Sequence, residues 1–124
     1  MRTNNLIEIK SRDFAVRIIN LYKYLCSEKK EYVLSKQLLR SGTSIGANVR
    51  EALRGESRQD FAHKLKISLK EASETEYWLE LLVSTGYISP RAYRSMQNDC
   101  VELIKILTSI IKSTRKGETE TGNK

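Results

Sequence analysis

Apolar residues recur at three- and four-residue intervals along this 124-residue chain, and short polar breaks divide them into four runs. Phe14, Ile18, Tyr22 and Leu25 share one face of a first helix, expected from about Ser11, a suitable N-cap, to Glu28, with Ile19 and Leu21 broadening the face. After the break at Glu28, Lys29, Lys30 and Glu31, a second helix is expected from about Ser35 to Arg54, where Gly55 ends it. Ser57, with Asp60 three residues on, is expected to cap a third helix that runs to about Thr85 and stops at Gly86. Ser89 and Pro90 are an N-cap and a first helical residue for a fourth helix through Tyr93, Met96, Cys100, Leu103, Leu107 and Ile110 to about Lys112. Long amphipathic helices on short connections pack as antiparallel neighbours. The expected fold is therefore all-α: an up-down four-helix bundle over residues 1–112, followed by a polar tail, 113–124, expected to be disordered.

The two middle helices carry more than the fold class. Leu34, Leu38, Ile45, Val49 and Ala52 cluster on one side of the second helix, with Gly42 and Gly46 one turn apart on its edge. Each glycine costs about 0.8–1 kcal/mol relative to Ala inside a helix. A close approach of another helix is the expected compensation. The third helix shows two apolar stripes, Phe61, Leu65, Ala72, Leu79 and Val83 on one side and Ile67, Trp78, Leu81 and Leu82 on another. A second stripe means either deep burial or an intermolecular contact. Self-association through Ile67, Trp78, Leu81 and Leu82 is the expected use, because closed homo-oligomers are the commonest soluble assemblies.

Charge is segregated as well. The chain carries a formal charge of +7, and the stretch from Lys36 to Lys70 holds eight basic and three acidic residues. Glu71 to Glu80 then holds four Glu and no Lys or Arg. Lys36, Arg40, Arg50 and Arg54 lie opposite the apolar face of the second helix, and Arg58 follows at the start of the third. Such a face suits phosphates, with affinity that falls with salt and little sequence preference, since no base-reading motif accompanies it. Between the basic and apolar faces lies a polar shoulder, Ser41, Ser44, Asn48 and Glu51. In an antiparallel pair the short turn places Ser41 at the level of Glu71, Ser44 at that of Ser68 and Asn48 at that of Lys64. Glu71 is expected to accept hydrogen bonds from Ser41 or Ser44, or to pair with Arg40 of the same or a neighbouring protomer, while Asn48 and Glu51 contact Lys64. Ser41, Ser44, Asn48, Glu51, Lys64 and Glu71 would then set register and take no part in catalysis.

Catalytic constellations are absent from the sequence. A di-metal carboxylate bundle needs two Glu-x-x-His motifs and two further Glu, whereas the chain has one His, His63, with Asp60 three residues before it. There is no Gly-rich phosphate loop, no nucleophile elbow and no Cys with a nearby His. No catalytic residue, metal or cofactor is expected. Cys26 and Cys100 each sit in an apolar run and read as reduced, buried thiols of a cytoplasmic protein. No apolar stretch approaches the length of a membrane span.

The segments SGTSIGANVREA (41–52) and DFAHKLKISLKEASETEYWLELL (60–82) resemble the signature of a bacterial four-helix-bundle family first noticed as open reading frames in intervening sequences of 23S ribosomal RNA genes. The family pattern SxxSIxxNxxEA falls on Ser41, Ser44, Ile45, Asn48, Glu51 and Ala52. The pattern KEAxETxYWLxLL falls on Lys70, Glu71, Ala72, Glu74, Thr75, Tyr77, Trp78 and Leu79. The opening FAVRIINLYKYL extends the likeness, so that it covers about Phe14 to Ile111. The resemblance implies a bundle that forms a ring of five protomers, similar to the accessory protein of diversity-generating retroelements, whose basic surface binds nucleic acid and a reverse transcriptase. It implies no enzymatic activity. From sequence the chain is thus expected to be a non-enzymatic homo-oligomer that binds RNA or DNA backbone. The alternative is a structural or protein-adaptor oligomer with no nucleic-acid binding.

Overall fold

The computed structural model describes the backbone of residues 2–122 and the side chains of residues 5–115, which form four α-helices. They are α1 (Arg2–Ser27), α2 (Leu34–Leu53), α3 (Arg58–Ser84) and α4 (Pro90–Gly122). Each packs on its chain neighbours, and α4 returns to α1 to close the bundle; α2 with α3 is the most extensive seam and α1 with α4 the thinnest. The described residues are therefore an antiparallel four-helix bundle, as the hydrophobic pattern predicts.

The connections follow from local chemistry. Ser57 Oγ accepts the Asp60 amide at 3.0 Å and Ser89 Oγ accepts the Ala92 amide at 3.1 Å, so both expected caps form. Gly86 adopts φ +82, the left-handed turn that ends α3. The start of α2 is capped differently. Val33 offers no side-chain cap, and Glu31, two residues earlier, folds its carboxylate over the helix start. Its Oε2 accepts the Val33 and Leu34 amides at 3.1 and 2.9 Å, and its Oε1 accepts the Ser35 amide at 2.7 Å. Burial pulls this carboxyl upward, but those amides outweigh it and hold it below the usual carboxylate range.

Two boundaries differ from expectation. The first helix begins at Arg2, and Ser11 lies buried in its middle, with its hydroxyl donating to the Glu8 carbonyl at 3.2 Å. Ile7 continues the Phe14, Ile18 and Leu25 face one turn and more before Ser11, and its burial carries the helix back. At the other end α4 passes Lys112 and continues to Gly122, so most of the expected tail is helical, while residues 123–124 lie outside the described residues. Extending an existing helix needs no new nucleus, so α4 runs on through a segment whose Ser, Thr and Gly residues would not start a helix of their own.

The core confirms the glycine reading. A Cβ on Gly42 would stand 2.6 Å from Ile18 Cγ1, and one on Gly46 would stand 3.3 Å from the Ser11 carbonyl oxygen. The two glycines thus let α1 approach α2 closely. One residue of the second apolar stripe of α3 departs from the expected intermolecular contact. Leu82 is fully buried in the protomer's own core, and Trp78 packs half-buried against that core, with Ile67 and Leu81 also half-buried. The buried repeat of α3 is Leu65, Ser68, Ala72, Thr75, Leu79 and Leu82, which places Leu82 seven residues beyond Thr75. Two hydroxyl residues hide that heptad from a purely apolar count.

Candidate nucleic-acid interface

Five cations were singled out by the sequence pattern, and the bundle separates them. Lys36 is exposed in the first turn of α2, about 27 Å by helical rise from Arg54 at the C-cap. Arg40, between them, is committed to α3: its Nη1 lies 3.4 Å from Glu71 Oε2 and its Nη2 3.0 Å from Glu74 Oε2. Arg50 Nε faces Glu8 Oε2 of α1 at 3.6 Å. Arg54 and Arg58 flank the α2–α3 turn, exposed and without a carboxylate partner among the described residues.

Beside that turn an open groove of about 820 Å³ runs between α1 and α2 and reaches the start of α3. Ala15, Thr43, Gly46, Ala47 and Gly55 are its small lining residues, and Arg12, Arg50, Arg54 and Lys64 bring cations to it. Glu8, Glu51 and Asp60 line it too, so the groove is of mixed sign. Arg12 pairs with its neighbour Asp13 at 3.3 Å and Lys64 with Glu51 at 3.3 Å, which leaves Arg54 as the groove's uncompensated cation. Sequence reasoning missed Glu8 and Arg12, because only the α1–α2 contact made by the glycines brings them to α2.

The polar shoulder is resolved into a hydroxyl seam and an ionic rim. Ser41 and Thr75 are buried, and their hydroxyls meet at 2.9 Å across the α2–α3 interface. Buried Ser68 donates to the Ile45 carbonyl of α2 at 2.8 Å. Ser44 and Asn48 turn back onto their own helix, donating to the Arg40 and Ser44 carbonyls at 2.6 and 2.9 Å. Asn48 therefore does not use Lys64, and Ser41 sits at the level of Thr75, one turn beyond the expected Glu71. Glu71 takes the alternative expected of it and pairs with Arg40 within the protomer. Burial raises the Glu71 carboxyl, Arg40 lowers it and the nearby Glu74 raises it again, with the net result above the usual carboxylate range.

The remaining chemistry is quiet. Cys100 donates to the Ala72 carbonyl at 3.3 Å, and burial, with Glu76 and Asp99 nearby, pushes its thiol up to about 12. Cys26 is also a free thiol. Among the described residues no three His, Cys, Asp or Glu side chains converge as metal ligands, and no helix is long and apolar enough to cross a membrane.

Comparison with known proteins places the fold in a lineage. A crystal structure of a protein of unknown function from the S23 ribosomal protein family of Bacteroides thetaiotaomicron VPI-5482 shares 61% sequence identity with this chain. The match covers 89% of this chain and 98% of that one, with a TM-score of 0.88. No curated protein matches. The family model for the 23S rRNA-intervening sequence protein matches residues 3–109, nearly all of the bundle, and the chain therefore belongs to the 23S rRNA-intervening sequence protein family.

Proposed function

We propose that this chain is a binding protein for the backbone of RNA or DNA, with no catalytic role, and that it engages phosphates at the α2–α3 end of the bundle. The observation that carries this reading is the pair Arg54 and Arg58, exposed on either side of the turn with no carboxylate to neutralise them. Arg50 stands one turn away and only loosely held by Glu8. Guanidinium groups in this state gain more from a phosphate than from water, and the gain is sequence-independent and salt-sensitive. Arg40 drops out of the expected interface because Glu71 and Glu74 already hold it. The test is a salt titration of generic RNA and DNA binding by fluorescence anisotropy, with Arg54→Glu/Arg58→Glu as the variant. Binding that weakens with salt, and is lost alike for all sequences in the variant, supports the reading. A wild type that binds nothing at low salt, or a variant that binds as well as wild type, removes it.

A homo-oligomer remains part of the proposal, with its contact moved from α3 to α1. Ile9 and Val16, 58% and 43% exposed, lie on the outer face of α1 with Leu6 and Ile19 beside them. Four exposed aliphatics on one helix are a better candidate contact than a Trp already packed on its own core.

A further inference from the structure

The end of the bundle opposite Arg54 has a different chemistry. All six tyrosines and the single tryptophan fall in the half closed by the α1–α2 and α3–α4 connections; Phe14 and Phe61 are the only aromatic residues elsewhere. Tyr24, Tyr32 and Tyr77 are 41%, 52% and 55% exposed, so the core does not account for their rings. Lys23, Lys29, Lys30 and Lys36 surround the first connection, each exposed and without a carboxylate partner among the described residues. The connection's own acid, Glu31, is turned inward onto the α2 amides, which leaves Glu28 as the exposed carboxylate of the stretch. Lysines and exposed tyrosine rings are therefore interleaved between Lys23 and Lys36 on a turn whose backbone is pinned by Glu31.

We infer that this end is a second binding surface, selective for single-stranded nucleic acid, in which the lysines hold phosphates and Tyr24 and Tyr32 stack on unpaired bases. A duplex keeps its base faces inside the stack and can offer these rings nothing, whereas a single strand offers both charge and flat apolar faces. Stacking is tolerant of base identity, which suits a surface with no constellation of donors and acceptors aimed at base edges. The α2–α3 end has arginines but none of the exposed large aromatic side chains, so it does not distinguish paired from unpaired strands. The two surfaces are separated by the length of α2, about 30 Å, and can be disabled one at a time. The inference shares the ligand class of the function proposed above but uses different residues.

The experiment measures anisotropy of a short labelled single strand and of its duplex with wild type, Tyr24→Ala/Tyr32→Ala, Tyr24→Phe/Tyr32→Phe and Arg54→Glu/Arg58→Glu. Wild type should prefer the single strand. The alanine pair should lose about tenfold or more of that affinity with unchanged duplex affinity and thermal melting, and the phenylalanine pair should retain it because the ring, not the hydroxyl, stacks. Single-strand affinity that is unchanged in the alanine pair but lost in the arginine variant overturns this inference and leaves the proposed function standing. A wild type that binds neither strand form overturns both. Wild type bound to anionic phospholipid vesicles, with that binding and not single-strand binding lost in the alanine pair, overturns the inference in favour of a membrane surface.

Discussion

Ile18 of α1 occupies the space that a side chain on Gly42 of α2 would need. An added Cβ would stand 2.6, 2.8 and 2.9 Å from three of its side-chain carbons. Removing the glycine's conformational cost should favour Gly42→Ala by about 1 kcal/mol, but overpacking a filled core costs about 1–3 kcal/mol. The variant is therefore expected to be less stable, by up to about 2 kcal/mol in chemical denaturation. Adding Ile18→Ala should cost less in the Gly42→Ala background than in wild type, since each substitution makes room for the other. Additive losses would mean that the two residues do not compete for one space.

Glu31 ties the α1–α2 connection to the amides of α2, and its carboxyl is held below its ordinary value. A depressed folded-state pKa contributes stability that is present above the unfolded value of 4.5 and is lost as pH falls through the lower folded value. Glu31→Gln should cost about 1.5–3 kcal/mol at neutral pH, as for other hydrogen bonds to a charged group. The difference from wild type should shrink steadily in melts taken below the unfolded value. A pH-independent difference would show that shape rather than charge makes the cap.

Arg40 sits between two carboxylates, Glu71 and Glu74, of which Glu71 is raised. A raised carboxyl favours the fold while protonated, and that contribution is lost as pH rises through the raised value. Arg40 offsets the resulting repulsion. Arg40→Ala should therefore cost about 1 kcal/mol at alkaline pH and less in acid, while Glu71→Gln, which removes the charge and keeps the shape, should melt no lower than wild type at alkaline pH. A larger loss for Arg40→Ala in acid would contradict the assignment.

Ile9→Glu/Val16→Glu is expected to lower the mass found by light scattering without lowering the protomer's helicity, because both side chains point outward from α1. Trp78→Ala should instead lower the melting temperature, since the indole packs on the protomer's own core. A monomeric wild type would remove the assembly proposal. Loss of mass in Trp78→Ala alone, with its melting unchanged, would return the contact to α3.

Much of what depends on neighbours within a turn or two is legible in the chain, the starts of α1 and α2 excepted. Helical periodicity, the hydroxyl caps at Ser57 and Ser89, and the stop at Gly86 are short-range matters of backbone amides and φ, and they stand where the pattern puts them. So does the close approach at Gly42 and Gly46, because two glycines one turn apart in a helix call for a neighbour. Packing selected the remaining polar partners, although Arg40 with Glu71 and Glu51 with Lys64 meet as the antiparallel pairing predicts. Ser68 and Thr75 are buried because hydroxyls can bond carbonyls at a tight seam, which polarity hides in the sequence and which shifts Leu82 from the expected contact into the core. Arg40 is neutralised and Arg54 is not, although the two share a face of one helix, since only the packing of α3 brings Glu71 and Glu74 beside the first. The apolar positions of α1 likewise reveal their outward direction only once α2 and α4 have taken the sides they can cover, because a helix face is inner or outer only relative to what packs on it.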